Sequence, residues 1–299
     1  MKLRKVLYIA IMMASILSLP EQTKAQNLEV VGQAKITVMP TDNTADQIVV
    51  KQADGTLAVR SASTLKELPS SPQAGEMLYW NGTAWVVVPA ATSGATLSFL
   101  NGAPIWIGAT DVLNHITGKI WMDRNLGASQ VATSNTDAAS YGELYQWGRR
   151  TDGHEKRTSS TSTTLSNSDT PSNGNFITTD SSPFDWRSPQ NDNLWQGVSG
   201  INNPCPLGYR IPTDAEWNAE RMSWSSNNPA GAMASPLKLP LAGARDYSNG
   251  SLAGVGIAGG YWSSTVSGTN ARLLYFDSSG ASMVADYRAS GFAVRCLKD

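Results

Sequence analysis

Alternating polar and apolar positions mark the first readable elements. Ala34-Lys35-Ile36-Thr37-Val38 and Gln47-Ile48-Val49-Val50-Lys51 repeat with the period of two expected of half-buried strands. Ala53-Asp54-Gly55-Thr56 supplies an Asp-Gly turn, and Leu57-Ala58-Val59-Arg60 reads as the strand that returns from it. A weak repeat follows, in which Gly75 to Trp85 is echoed by Gly94 to Trp106. Each copy reads as a strand, an Asn-Gly turn (Asn81-Gly82, then Asn101-Gly102) and a return strand ending in Trp. Hairpins bury little core alone, so residues 26–110 are expected to form a β-rich stalk or attachment region. It would pack on itself, on the next domain or on another chain, with a possible homo-oligomer as the result.

Beyond Asp111 the pattern changes. Thr151 to Asn175 is crowded with Ser, Thr, Asn and Asp and is expected to be a flexible, solvated surface insertion. His154-Glu155 within it offers an acid–base pair or metal ligands only in principle. The best helix signal is Pro212-Thr213-Asp214-Ala215-Glu216-Trp217, where Thr213 and Glu216 have capping-box spacing. That helix is predicted to run to about Met222, with Trp217 and Met222 towards the core. A second short helix is predicted over Tyr141 to Trp147. Gly-rich β-structure follows at 237–241, 260–264, 271–276, 281–285 and 291–297. Few helices and many irregular strands predict an α+β class.

Composition narrows the compartment and the chemistry. Lys2, Arg4 and Lys5 precede an apolar stretch from Val6 to Leu19, and Thr23-Lys24-Ala25 ends on a small residue. Residues 1–25 therefore read as a signal peptide, and the protein is expected to be exported to a periplasmic, cell-surface or extracellular location, without a transmembrane segment after cleavage. Net charge is −1, which gives no support to a nucleic-acid partner. The two cysteines, Cys205 and Cys296, are expected to pair in an oxidising compartment. A zinc site or nucleophilic thiol is the alternative, although neither has His or a second Cys at ligand spacing. No nucleophile elbow, His-Glu-x-x-His or phosphate-binding glycine loop is present, so no catalytic residue, metal or cofactor is assigned.

Five blocks then carry a resemblance. They are Ile120-Trp121-Met122-Asp123-Arg124-Asn125-Leu126-Gly127, Tyr141-Gly142-Glu143-Leu144-Tyr145-Gln146-Trp147-Gly148-Arg149, Asn203 to Trp217, Gly260-Tyr261-Trp262-Ser263-Ser264-Thr265 and Gly291-Phe292-Ala293-Val294-Arg295-Cys296. Their order resembles the Fibrobacter succinogenes major paralogous domain, common in Bacteroidetes-type bacteria and similar to the formylglycine-generating-enzyme variant of the C-type lectin fold. The resemblance covers residues 111–299. It implies a C-type-lectin-like binding domain, with Arg210, Arg295 and the tryptophans as scaffold. It also implies adhesin-like binding of a protein or glycan ligand on another cell or surface. A structural subunit of a surface fibre is the alternative. A formylglycine-generating-type enzyme is a further one, for which the reactive thiol pattern is missing.

Some proteins of this fold are diversified by retroelements that mutate template adenines near the C-terminus. Asparagine template codons then give many residue types, but not Lys, Glu, Gln, Met or Trp. Val266 to Ser290 contains no Lys, Glu, Gln or Trp and a single Met, Met283. Leu273, Tyr275 and Asp277 alternate on one face of a strand, with Leu274 and Phe276 on the other. Gly280, Ser282 and Val284 continue the alternation, with Ala285, Asp286 and Tyr287 expected in an adjoining loop. This set, with Ser267 and Thr269, is the expected ligand-facing surface.

Overall fold

The computed structural model describes residues 47–51, 57–61, 73–74 and 76–299. The export signal expected at 1–25, the strand expected at 34–38 and the turn at 53–56 lie outside the described residues. Backbone packing divides the chain into Met1–Leu65 and Lys66–Asp299. In the first unit, β1 (Gln47–Lys51) and β2 (Leu57–Ser61) pair antiparallel with Val49 opposite Val59, as their alternation predicts.

The second unit includes both Asn-Gly hairpins. In the first, β3 (Met77–Trp80) pairs with β4 (Trp85–Val88). The Asn81 side chain accepts from the N–H groups of Thr83 and Ala84, which closes a four-residue loop. Trp85 therefore opens its strand opposite Trp80 instead of ending it. In the second, β5 (Thr96–Leu100) and β6 (Ala103–Ile107) are joined by Asn101-Gly102 alone, at φ of 50° and 81°. Positive φ at both positions is what a tight two-residue hairpin turn needs. Trp106 then falls opposite Leu97, and its indole N–H reaches Pro89 O at 2.8 Å.

The rest of the unit is sheet-rich, with short strands, a 3-10 turn at Ala138–Ser140 and two α-helices among the described residues. In chain order come β7 (Asp111–Asn114), β8 (Lys119–Met122), β9 (Tyr145–Gln146), β10 (Thr161–Ser162), β11 (Phe176–Ile177) and β12 (Tyr209–Arg210). Helices α1 (Asp214–Met222) and α2 (Pro229–Ala234) follow. The chain closes with β13 (Ala244–Arg245), β14 (Leu252–Ala253), β15 (Gly259–Ser267), β16 (Asn270–Asp277), β17 (Gly280–Tyr287), β18 (Gly291–Phe292) and β19 (Leu297–Lys298). One sheet has the order β12-β19-β8-β7, so the last strand is held between earlier ones, with Leu297 opposite both Trp121 and Arg210. Another has the order β14-β13-β18-β9, and the longest strands form the sheet β15-β16-β17. A disulfide joins Cys205 to Cys296.

Helix α1 begins as its sequence predicts. Thr213 Oγ1 accepts from Glu216 N–H, and the Glu216 carboxylate accepts from Thr213 N–H. Its buried stripe is Trp217, Glu220 and, one turn on, Trp224, spaced three and seven residues apart. Met222, five residues from Trp217, lies about 140° round the helix and is 69% exposed. The expectation that it faces the core is thereby corrected. The helix predicted over 141–147 does not form. Gly142 takes φ +67°, and the amides of Leu144 and Trp147 bond outward to Glu155 O and Arg288 O. Residues 237–241 are not a strand either: Lys238 takes φ +46°. The stretch 291–297 splits, because β18 pairs with β13 and β9 while β19 pairs with β8 and β12.

Irregular loops are fixed by buried indoles. Trp121, Trp147, Trp186, Trp195, Trp217 and Trp262 are fully buried, and side chains of this size remove about 150–250 Å² each from water. Their N–H groups link segments distant in sequence: Trp217 to Trp262 O, Trp262 to Tyr145 O, Trp147 to Ser263 O and Trp186 to Trp147 O. Each such bond contributes about 1 kcal/mol net, and losing one leaves a buried carbonyl unpaired. Arg210 grips Glu216 through two nitrogens and Asp299 through Nε. Arg295, fully buried, donates to Asn125, Met122 O and Leu237 O.

Candidate functional site

Two groups of residues can be weighed as sites. The first is Asp152, His154 and Glu155, whose potential ligand atoms lie within 4.8 Å of one another. The expected solvated insertion is exposed or half-buried along most of its length, but this pair departs from it: His154 is fully buried and Glu155 nearly so. Polar neighbours satisfy them. His154 Nδ1 lies 2.6 Å from Asp152 Oδ1, and Nε2 accepts from the Gln146 amide at 3.1 Å. The second bond makes Nε2 the acceptor and Nδ1–H the donor. Asp152 also receives Arg149, and Glu155 accepts from the amides of Asp152 and Gly153. Burial pushes the His154 imidazolium down to a pKa of about 4, against the pull of Asp152. The nitrogens and carboxylates are committed to holding the loop, so this is a structural network.

The second group is the C-terminal sheet. Its register puts Ser282 opposite Tyr275, Val284 opposite Leu273 and Gly280 opposite Asp277, so these share one face as the alternation predicts. Leu274 and Phe276 point the other way, into a core with Trp217, Trp224 and Tyr261 beneath α1. Leu273, however, is completely buried among Trp147, Trp262 and Phe292. Both faces of β16 are therefore covered at mid-strand, and Leu273 is removed from the ligand-facing set. Val284 is half-buried against the same cluster. Ala285, Asp286 and Tyr287 are the end of β17 and not a loop, and Ala285 is exposed on the α1 side, opposite Arg272.

The remaining expected positions separate to the two ends of the sheet, on the order of 20 Å apart along β16 at ~3.4 Å per residue. At one end are exposed Ser267 and Thr269, with Asp286 and Tyr287 half-buried. The turn there is held down: Gln190 donates to Thr269 O, and Arg288 to Gly268 O. Tyr287 packs on Phe184, with ring centroids 4.4 Å apart, and on Tyr247 at 4.8 Å. Burial pushes the Asp286 carboxyl up from its ordinary value.

At the other end Tyr275, Asp277, Gly280 and Ser282 lie together, with Ser282 exposed. The Tyr275 hydroxyl donates to Asp277 Oδ2 at 3.2 Å, and Asp277 Oδ1 accepts from Ser279. The hydrogen bonds from Ser279 lower the Asp277 pKa, while burial raises that of Tyr275. Beside Tyr275 opens a hollow of about 240 Å³, walled by Tyr275 and Phe292 and otherwise lined by Gly243, Ala244, Ala253, Gly254, Ala258 and Gly260. Glycine is required in this lining, since a Cβ on Gly260 would lie 2.3 Å from the Phe292 ring. The adjoining loop exposes Leu252, Val255 and Ile257. Residues 252–258 and Phe292 were not singled out as site residues from sequence, although Leu252-Ala253-Gly254-Val255-Gly256-Ile257-Ala258 is a charge-free apolar run between polar segments.

The arrangement offers an aromatic wall, a hydroxyl and a carboxylate beside a small apolar recess. Such a recess suits recognition, with apolar contact for affinity and a few polar groups for orientation. No family model, curated protein or solved structure matches the chain.

Proposed function

We propose that the protein is an exported, adhesin-like ligand-binding protein that recognises a protein or glycan through the Tyr275 end of its C-terminal sheet. The observation that carries this reading is the coincidence of an outward position with a concave surface: Tyr275 walls the hollow beside residues 252–258, with Asp277 bonded to its hydroxyl and Ser282 opposite it in the sheet. The scaffold beneath is rigid, pinned by buried indoles and by the Cys205–Cys296 bridge, as preorganised recognition requires. A disulfide also accords with an oxidising, exported location. A C-type-lectin-like fold is supported by the last strand pairing with an early one (Leu297 opposite Trp121) and by long irregular segments between them.

The test is binding of the full-length chain to arrays of glycans and peptides, repeated with Tyr275→Ala and with Ala253→Trp, which fills the hollow from an exposed position. Specific binding lost in both variants, with unchanged melting temperature, supports the reading. Binding indifferent to both removes it.

Retroelement diversification fits this surface only if variation respects burial. Sequencing of the coding region across a population should show adenine-linked changes at exposed codons such as 269 and 282 and none at 273; an invariant region removes the idea. A fibre-subunit reading is favoured by one observation, the exposure of Val86, Leu97 and Phe99 on the Asn-Gly hairpins. Self-association in sedimentation, abolished by Leu97→Ser with Phe99→Ser, would support it.

A further inference from the structure

A second concavity lies on the other side of loop 252–258. This cleft, of about 510 Å³, has Tyr141, Glu143, Lys156 and Arg157 among its polar lining and Leu252 and Val255 as an apolar rim. Its volume falls in the range of small-ligand sites, roughly 300–1,000 Å³.

The Arg157 guanidinium is held in place. Its Nε donates to Gly142 O at 2.7 Å and its Nη2 to Ala242 O at 2.8 Å, and the group lies 5.5 Å from the Tyr141 ring centre. Both acceptors are neutral carbonyls, so the positive charge is not consumed by an ion pair. Its Nη1 has no partner among the described residues, nor do the Lys156 ammonium and the Tyr141 hydroxyl. Glu143 also lines the cleft, but one of its oxygens accepts from the Arg157 amide at 3.0 Å. Lys156 and Arg157 stand against one engaged carboxylate among the lining residues, and Asp137, which also acts on the Tyr141 hydroxyl, is engaged by Gln130 and Thr133; three unspent donors belong to residues that line the cleft. Leu252, 46% exposed, and Val255 supply an apolar ledge beside them.

We propose that this cleft is an anion-selective subsite for an acidic sugar residue. Arg157 Nη1 and the Lys156 ammonium take its oxyanion, the Tyr141 hydroxyl donates to it, and Leu252 and Val255 contact the apolar face of the ring. A planar guanidinium fork with an adjacent ammonium suits a carboxylate or a sulfate ester alike. The inference stands apart from the Tyr275 hollow.

The test is titration of the isotope-labelled full-length protein, followed by amide NMR shifts, with glucuronate, glucose 6-sulfate and glucose as probes. Either acidic sugar should shift amides near 141–143, 156–158 and 252–255, with the stronger of the two naming the oxyanion, and glucose should not. Lys156→Glu, at an exposed position, should weaken the acidic probe about tenfold or more by reversing a charge at close range. Arg157→Lys should weaken it while keeping the charge, through loss of the fork. Tyr275→Ala, at a residue that lines the hollow and not the cleft, should leave it unchanged, so failure here is distinguishable from failure at the hollow. Equal shifts with glucose, no shift with either acid at millimolar concentration, or indifference to Lys156→Glu would each overturn the proposal.

Discussion

Removing the bridge between Cys205 and Cys296 by the double change Cys205→Ala, Cys296→Ala tests how much of this fold depends on covalent closure. The two cysteines are 91 residues apart in sequence. The chain-entropy relation then gives a loss of about 4.6 kcal/mol at 25 °C from freeing the unfolded chain. The packing loss adds to this, because Cys296 is fully buried in the cluster of Trp147, Trp262 and Leu273. The unit Lys66–Asp299 has about 230 residues, for which the unfolding entropy is about 0.5 kcal/mol/K. The expected fall in melting temperature is therefore about 9 °C from the bridge alone. The assay is calorimetry of the wild type and the double variant, with wild type in reductant as a second route to the open form. A shift below about 2 °C by both routes would refute the reasoning, since it would mean that the indole network holds β19 without the bridge.

Three further outcomes follow from the geometry. Leu273→Ala should cost about 2–5 kcal/mol in denaturant unfolding, as for a fully buried leucine, whereas Ser282→Ala should change stability by less than about 0.5 kcal/mol. A neutral Leu273→Ala would return Leu273 to the surface set. Burial opposes ionisation of the Glu216 carboxyl, but Arg210 and Thr213 outweigh it and hold its pKa at about 2, below the ordinary 4.5. The stabilisation is thus complete above about pH 5 and lost as pH falls towards 2. Discounted for partial solvent access it is worth roughly 1–2 kcal/mol, and Glu216→Gln should flatten that part of the stability–pH curve. His154 should remain neutral in imidazole NMR down to about pH 4. Because the folded pKa lies below the unfolded one, that histidine costs stability as pH falls from about 6.5 towards 4; titration near 6.5 would show the side chain to be solvated.

Much of the fold was legible locally. The hairpin of β1 and β2, the capped start of α1, the strands around 260–264, 271–276 and 281–285 and the cysteine pair all follow from alternation, capping spacing and redox logic. What failed was decided by tertiary neighbours. Leu273 and Leu274 are the same residue type on opposite faces, and only Trp147, Trp262 and Phe292 packing over Leu273 show that neither face is open at mid-strand. In the 151–175 segment, otherwise exposed or half-buried as expected, His154 and Glu155 are the buried exceptions, because composition does not separate polar groups that meet water from those that meet each other, as Arg149, Asp152 and His154 do. Helix α2 had its own signal in Asn228-Pro229, where Asn228 accepts from the Gly231 amide and proline takes the first helical position. The hollow had less, since its lining comes from glycines and alanines on strands and loops far apart in sequence.

The central claim is that the Tyr275 end of the sheet, and not the Tyr287 end, meets the ligand. Hydrogen–deuterium exchange of the full-length chain, with and without the strongest array ligand, distinguishes them directly. The account predicts new protection at 252–258 and 275–282 and none at 267–270 or 285–287. Protection confined to 267–270 and 285–287 would contradict it.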